Sequence, residues 1–202
     1  ETVERSWKRG LQVGRFKAVD DLLDHNIEAL KGIPVLFFTW ALRKDKLVYC
    51  EFLDNSVDFG KQPKTIAFGF KDELYILDIK CMIDINRFSK LNIYAESANQ
   101  VYPFASAIAP EVNTEFLVKC AKDIPRINFV DRVTSKIYAC IEYGTISWVD
   151  HVIFARVWED HNNRIGLLAI APNLIKGLSQ VPNQPAKQIS TEATRHTMGN
   201  LS

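Results

Sequence analysis

A change of hydrophobic pattern near residue 32 constrains the fold of this chain more than any other feature. Residues 3–31 carry apolar side chains at roughly helical spacing among charged ones, which predicts one N-terminal helical stretch. Gly32 followed by Pro34 is a typical helix stop. Eight short β-rich runs follow, and the clearest are PVLFFTWAL, KLVYCEFL, ELYILDIKC and SKIYACIEYG. This order predicts a mainly β domain behind a helical arm.

The β-rich runs continue to residue 171 and are interrupted by one further helix. That helix is predicted at Asn113–Lys122, with Asn113 or Thr114 as its N-cap. Lys64–Phe70 is either a short strand or an irregular stretch. The expected strands are Pro34–Leu42, Lys46–Leu53, Glu73–Cys81, Leu91–Glu96, Arg126–Val133, Lys136–Tyr143, Val152–Trp158 and Arg164–Ala171. Strands that are apolar on both faces predict cover from a second sheet, a helix or a neighbouring subunit.

The chain divides into three segments by composition. Residues 1–32 form the predicted helical arm, residues 33–178 the β domain, and residues 179–202 a tail rich in Ser, Thr, Gln, Asn and Pro. A chain of 202 residues is long enough for one domain with a sizeable core. The tail is predicted to lie on another surface or to be disordered.

Charge and cysteine content argue against several functional classes. The 25 basic and 24 acidic side chains leave a net charge of +1, without the basic excess of a dedicated nucleic-acid binder. The four cysteines include no CxxC pair, which argues against a zinc ribbon. Three of them lie in apolar strand-like runs, so a reducing compartment is the simpler interpretation, and paired disulfides stay open. No apolar run has the length of a membrane helix. We therefore expect no cofactor, no bound metal and no membrane partner.

The sharpest catalytic candidate is Asp78-Ile79-Lys80, in the run ELYILDIKC. On a strand, a carboxylate and a lysine two residues apart share one face. With Asp58 upstream, they are similar to the residues with which PD-(D/E)xK nucleases hold Mg²⁺ and activate water. Asp58 follows Val57, so the proline of that motif is missing. The simpler interpretation is a solvated strand face, and the chain is not expected to be an enzyme.

Three stretches resemble the capsid proteins of picorna-like positive-strand RNA viruses. Ala29–Leu42 (ALKGIPVLFFTWAL) resembles the opening of their jelly roll, where a proline precedes a strand that ends in aromatic-Thr/Ser-Trp. Gly69–Glu96 is similar to the central pair of strands around an Asn/Arg-Phe turn, and Ile127–Gly144 is similar to a later segment. In that segment, Glu142-Tyr143 stands where the family has a Pro-Tyr-like corner.

The resemblance covers about residues 29–171 and implies an eight-stranded antiparallel jelly-roll sandwich. It implies a structural subunit that self-assembles with other capsid subunits into an icosahedral virion shell around single-stranded RNA, in the host cytoplasm during assembly. Release from a polyprotein would suit a chain that begins with Glu1, and the short loops are more similar to plant-infecting members. Two alternatives stay open: a PD-(D/E)xK-like nuclease, and a non-enzymatic binding protein of the viral movement or matrix type.

Overall fold

Helices and strands alternate along the chain in the computed structural model, which describes residues 2–40, 43, 45, 47–58, 60–70, 72–102 and 109–171. The α-helices are α1 (Thr2–Val13), α2 (Val19–Trp40), α3 (Ile79–Phe88), α4 (Glu115–Asp123), α5 (His151–Glu159) and α6 (His161–Ile170). The strands are β1 (Tyr49–Asp54), β2 (Lys64–Phe70), β3 (Glu73–Ile76), β4 (Arg126–Val130), β5 (Ile137–Glu142) and β6 (Thr145–Trp148). Among the described residues between α3 and α4, Ala98–Gln100 and Pro110–Asn113 are short 3₁₀ turns.

The six strands form one mixed sheet whose order follows the chain from β1 to β6. Neighbouring strands are antiparallel except β3 and β4, which are parallel. Between β3 and β4 the chain passes through α3 and α4 and returns to the edge of the sheet at which β3 begins, so β4 runs parallel to β3. Parallel strands need such a crossover, whereas the antiparallel pairs need only short turns.

The predicted jelly-roll sandwich is wrong. The described residues are 49% helical and 21% strand, and they form a single mixed sheet in place of two antiparallel ones. Pro34–Leu42 is helical as far as Trp40, and the runs Val152–Trp158 and Arg164–Ala171 lie almost entirely in α5 and α6. Leu91–Glu96 contains turns and no strand. Strands β1, β4 and β5 and helix α4 do fall within or close to the runs predicted for them. The run Glu73–Cys81 is a strand only as far as Ile76, because α3 begins at Ile79, and Lys64–Phe70, which the sequence left open, is strand β2.

Local capping explains why two β-rich runs became helices. Val, Ile, Phe and Trp favour strands, but helix propensities differ by well under about 1 kcal/mol per residue and are overridden by capping and packing. The Asp150 carboxylate accepts hydrogen bonds from the backbone N–H groups of Val152 and Ile153 at 3.1 and 3.0 Å, which starts α5. Asp160 accepts from the N–H of Asn163 at 2.9 Å and starts α6 in the same way.

Helix α2 passes through the predicted helix stop and across the predicted boundary between the arm and the domain. It continues beyond Gly32 and Pro34 to Trp40. A proline in a helix interior costs about 3 kcal/mol, because it removes a hydrogen bond and crowds the preceding turn. The core offsets that cost: Phe37 is buried, and Ile33 and Phe38 pack beside it. The first part of the predicted β domain is therefore the end of a helix.

One face of the sheet carries the hydrophobic core. Two rows of residues cross all six strands in register on this core face: Phe52, Ala67, Ile76, Phe129, Ala139 and Trp148, and beside them Cys50, Gly69, Leu74, Ile127, Ile141 and Ile146. Helices α2 to α6 each contribute buried side chains to the same core, such as Phe37, Met82, Leu117, Phe154 and Leu167. The described domain is therefore a layer of helices packed on one face of a sheet.

The hairpins β2–β3 and β5–β6 are two copies of one arrangement. Ala67 lies opposite Ile76 in the first, and Ala139 lies opposite Trp148 in the second. In each copy the first strand of the hairpin also pairs with the strand before it, and the register of that pairing shifts by one residue at the same point. The unpaired residues, Ile66 in β2 and Tyr138 in β5, form matching bulges. The sequence shows no internal repeat, yet the sheet is built from two similar three-stranded units.

The two units also start their helices in the same way. Leu77 and Asp78 both donate their backbone N–H groups to the carbonyl of Ile66, at 2.9 and 3.1 Å. Val149 and Asp150 do the same to the carbonyl of Tyr138, at 3.0 and 3.2 Å. Asp78 then caps α3 and Asp150 caps α5. The aspartate at this position therefore has a structural role in both units.

Candidate functional site

The second face of the sheet, here called the open face, is the most unusual surface of the described chain. Two rows of residues cross it in register: Glu51, Phe68, Tyr75, Asn128, Cys140 and Ser147, and beside them Tyr49, Phe70, Glu73, Arg126, Glu142 and Thr145. Since helices α2 to α6 pack on the core face, within the described residues no helical layer covers this second face. An antiparallel sheet usually turns polar side chains toward water on such a face.

One end of the open face is aromatic. We define the aromatic patch as Tyr49, Leu53, Phe68 and Tyr75, on strands β1 to β3. Tyr49 and Leu53 are each 51% exposed. The rings of Phe68 and Tyr75 are stacked at 4.7 Å with an angle of 6° between their planes, and the ring of Tyr49 lies 6.3 Å from Phe68. Phe68 and Tyr75 are partly buried, so the patch combines two half-exposed side chains with a stacked pair of rings. Exposed apolar side chains beside aromatic rings on a rigid sheet are typical of a binding surface.

The other end of the open face is polar and internally bonded. Arg126 lies between two carboxylates, with its Nη1 atom 3.4 Å from Glu142 and 3.9 Å from Glu73. The Arg126 Nε also donates to the Asn128 side chain at 3.2 Å. Cys140 Sγ and Ser147 Oγ lie 2.9 Å apart. Asn128 and Cys140 are themselves buried, at 1% and 7% exposed, and within the described residues Asn128 Nδ2 has no hydrogen-bond partner. This end therefore offers less exposed surface than the aromatic patch.

The charge of the open face is acidic. Glu51, Glu73 and Glu142 point to it, against the single cation of Arg126. Burial, together with the hydrogen bond that Tyr75 donates to Glu73, raises the pKa of the Tyr75 hydroxyl to about 12. That hydroxyl is therefore protonated at neutral pH and does not serve as a base. An aromatic surface with acidic neighbours suits a partner that is apolar and basic.

Helix α1 is a second exposed apolar surface. Trp7 is 58% exposed and Leu11 is 67% exposed, and both lie on the same side of the helix. The opposite, polar side faces the loop after β1, where Arg5 donates to the carbonyl of Asn55. A surface helix normally packs its apolar side on its own domain. Here the polar side is the one turned toward the domain.

The end of α1 adds another aromatic ring to that exposed side. Gly14, with φ of +67°, closes the helix, and its N–H bonds to the carbonyl of Gly10 at 2.8 Å. The chain then folds back, so that the ring of Phe16 lies 4.9 Å from the ring of Trp7. A Cβ atom at Gly10 would lie 2.5 Å from the Phe16 ring. Gly10 therefore makes room for this contact.

The structure gives each proposed nuclease residue another partner. Asp58 lines a shallow cleft with the polar side of α1, including Lys8. Asp78 caps α3 by accepting from the N–H of Cys81 at 2.9 Å, and its carboxylate lies 3.6 Å from Arg132 Nη1. Lys80 donates to Asp84 at 2.7 Å. Lys80 also lies on a helix and not on a strand, so the shared strand face that suggested the motif is absent.

No metal centre is formed in the part of the chain that the structure describes. No group of three or more His, Cys, Asp or Glu side chains is placed there to hold an ion. All four cysteines are free. Burial raises the pKa of the Cys81 thiol to about 12 and raises the pKa of Cys120 as well, so neither is a reactive thiolate. None of the described helices is both long and apolar enough to cross a membrane.

Replacing Asp78 or Asp150 with alanine distinguishes a capping aspartate from a metal ligand. Each substitution removes an N-cap and is expected to lower the free energy of unfolding by about 1 kcal/mol. We expect Mg²⁺ to leave the melting temperatures of the wild type and of both variants unchanged. A Mg²⁺-dependent stabilisation that Asp78→Ala abolishes and Asp150→Ala retains would instead support the nuclease residues. Calorimetry with and without Mg²⁺ makes the comparison.

Comparison with known proteins gives no relative for this chain. No protein-family model, no curated protein and no solved structure matches it.

Proposed function

We propose that this chain is a non-enzymatic structural protein that self-associates by burying the aromatic patch against another copy. The observation that carries the proposal is the exposed aromatic end of the open face, with Tyr49 and Leu53 each half exposed beside the stacked pair of Phe68 and Tyr75. Aromatic side chains in a rigid setting are the most frequent energetic anchors of protein interfaces. The patch is preorganised, because its residues lie on three hydrogen-bonded strands.

The charge of the open face favours a protein partner over a nucleic acid. Single-stranded nucleic acids also stack on exposed aromatic rings, but their phosphates require basic neighbours. Glu51 and Glu73 flank the aromatic patch, and the guanidinium of Arg126 is already paired with two carboxylates. Such a face repels a polyanion. The single-stranded RNA partner expected from the sequence therefore stays a prediction, and the open face does not favour it.

The viral shell function also stays a prediction. It came with the resemblance to capsid proteins, which implied a jelly roll, and the jelly roll is wrong. Self-association is the part of that expectation that the open face supports on physical grounds. An icosahedral shell, a virion location and a movement- or matrix-type role are narrower statements that rest on the resemblance alone.

Sedimentation velocity over a range of protein concentrations tests the proposal. We expect the wild type to associate as its concentration rises. The variant Tyr49→Ser is expected to raise the dissociation constant about tenfold or more, because a buried aromatic anchor contributes about 1.4 kcal/mol or more. The matched control is Tyr94→Ser, since Tyr94 is 79% exposed and lies outside the sheet.

Two results would contradict the proposal. One is a wild type that stays monomeric at concentrations up to about 1 mM, where even weak association is detectable. The other is equal loss of association in Tyr49→Ser and Tyr94→Ser, which would place the contact outside the aromatic patch. Thermal unfolding of both variants confirms that each remains folded.

A further inference from the structure

The described chain exposes two apolar surfaces that lack a covering layer and differ in charge. The first is the aromatic patch on an acidic sheet face. The second is the outer side of α1, formed by Trp7, Leu11 and the returning Phe16. A sheet face and an amphipathic helix are the two kinds of element that bury each other in layered folds. Within one copy they do not meet, since both remain exposed.

The charges of the two surfaces are complementary. Residues 2–17 contain the cations Arg5, Lys8, Arg9, Arg15 and Lys17 and the single acid Glu4. The open face presents three carboxylates against one guanidinium. Residues 2–17 therefore have a net charge of +4, and the charged residues of the open face have a net charge of −2. Opposite potentials on two surfaces favour their contact and fix its orientation.

The two surfaces also match in size. The patch spans three strands and the β1 positions from Tyr49 to Leu53, about 14 Å along the strand and about 10 Å across. The apolar side of α1 from Val3 to Leu11 is about 12 Å long, at about 1.5 Å per residue. Helix α1 therefore covers the patch with about two turns.

We infer that α1 of one copy docks on the aromatic patch of a second copy with its apolar side down, and that the net positive charge of residues 2–17 complements the acidic open face. This inference rests on the proposed self-association and specifies its two surfaces. In each copy the polar side of α1 is occupied by the loop after β1, through Arg5 and the carbonyl of Asn55, so the apolar side projects away from its own domain. The contact joins two different surfaces, so it is head-to-tail and generates rings or open chains.

Mixing two variants, each lacking one surface, tests the head-to-tail contact in the full chain. The helix variant carries Trp7→Ser and Leu11→Ser, and the sheet variant carries Tyr49→Ser and Leu53→Ser. All four side chains are at least half exposed, so the fold is expected to persist, and circular dichroism checks it. Each variant alone is expected to be monomeric. Their equimolar mixture is expected to form a heterodimer and nothing larger, because it contains one intact helix surface and one intact patch.

Each other outcome decides between the inference and the proposed function. If the helix variant associates as well as the wild type, α1 is not the partner and the inference fails, while self-association through the patch stands. If both variants are monomeric and their mixture is too, the inference fails. If the wild type is monomeric and instead binds phosphatidylserine vesicles through α1, both the inference and the proposed function fail.

Salt provides a second readout that does not depend on any variant. Since the two surfaces are oppositely charged, raising the salt concentration from about 0.05 to 0.5 M is expected to weaken wild-type association several-fold. A contact between two aromatic patches of like charge would strengthen instead, and that result would overturn the inference.

Discussion

Gly166→Ala is expected to lower the free energy of unfolding by about 2 kcal/mol, although alanine is the better helix former. A Cβ atom at Gly166 in α6 would lie 2.3 Å from Ile79 Cγ2 and 3.2 Å from Leu117 Cδ2. Both neighbours are fully buried, so the close-packed core has no space into which they could move. The resulting strain outweighs the gain in helix propensity, which is about 1 kcal/mol.

Gly32→Ala is the matched control for Gly166→Ala. Gly32 also lies inside a helix, but a Cβ atom there would meet no other atom within 4 Å. We expect this variant to be more stable than the wild type by up to about 1 kcal/mol. Urea unfolding of the two variants measures both values. Equal effects of the same sign would contradict the close packing of α6 against α3.

Asp131→Ala is expected to lower the free energy of unfolding by about 2 kcal/mol. The Asp131 carboxylate is 7% exposed and accepts from the Thr134 N–H at 3.0 Å, from the Thr134 hydroxyl at 2.6 Å and from Arg156 at 2.6 Å. Its loss removes three hydrogen bonds, one of them from a guanidinium, and detaches α5 from the turn after β4. Thr134 and Arg156 are exposed, so water replaces part of what these donors lose. Asp54, the corresponding residue of the first unit, is more exposed than Asp131 and accepts one hydrogen bond, from the Ser56 N–H at 2.9 Å. Asp54→Ala should cost only about 1 kcal/mol.

The effect of Asp131→Ala should depend on pH in the acid range. Burial alone would raise the pKa of Asp131, but the hydrogen bonds from Thr134 and Arg156 outweigh it and hold the pKa below its ordinary value. A carboxylate with a lowered folded-state pKa contributes stability above its unfolded pKa of about 4, and that contribution is lost as the pH falls below it. The difference between wild type and variant should therefore shrink from pH 7 to pH 3. A constant difference would show that Asp131 contributes without its charge.

The central strands were predictable from sequence because their signals are local. The segments beginning at Arg126 and Lys136 have β-rich composition and turn residues at their ends, and they form β4 and β5. Lys64–Phe70, which the sequence left as a short strand or an irregular stretch, forms β2. Helix α4 was predicted from the acidic first turn at Glu115 and the following Pro125. Strand β6 was missed, although Tyr143 and Gly144, with φ of 48° and 79°, form the two-residue turn that such a hairpin requires.

The helices of the second half were not predictable from composition. Val152, Ile153 and Phe154 favour a strand on any propensity scale. The cap that starts α5 depends on the side chain of a single residue, Asp150, which composition does not reveal. Tertiary packing decides such cases, because Phe154 lies against Trp148 with ring centroids 4.1 Å apart. Similarly, no local sequence signal indicates that α2 continues past Pro34. These errors together turned a layered α/β domain into a predicted β sandwich.

The open face was predictable only in part. Strands apolar on both faces did indicate a need for cover, and the sheet has helices on one face only. The members of the aromatic patch come from three strands and meet through register, as Phe68 and Tyr75 do, which depends on long-range pairing. In the proposed nuclease site, by contrast, residues that are close in sequence do not act together. Asp78 and Lys80 are close in sequence, but a strand-to-helix change between them gives them separate roles.

Amide NMR spectra of the wild type, recorded from dilute to concentrated solution, test self-association through the aromatic patch most directly. We predict that the resonances of Tyr49, Phe68 and Tyr75 shift or broaden as the concentration rises, together with those of α1. Resonances on the outer side of the helical layer, such as Lys122, should stay unchanged. Spectra that do not change with concentration, or changes confined to the helical layer, would contradict the proposed use of the open face.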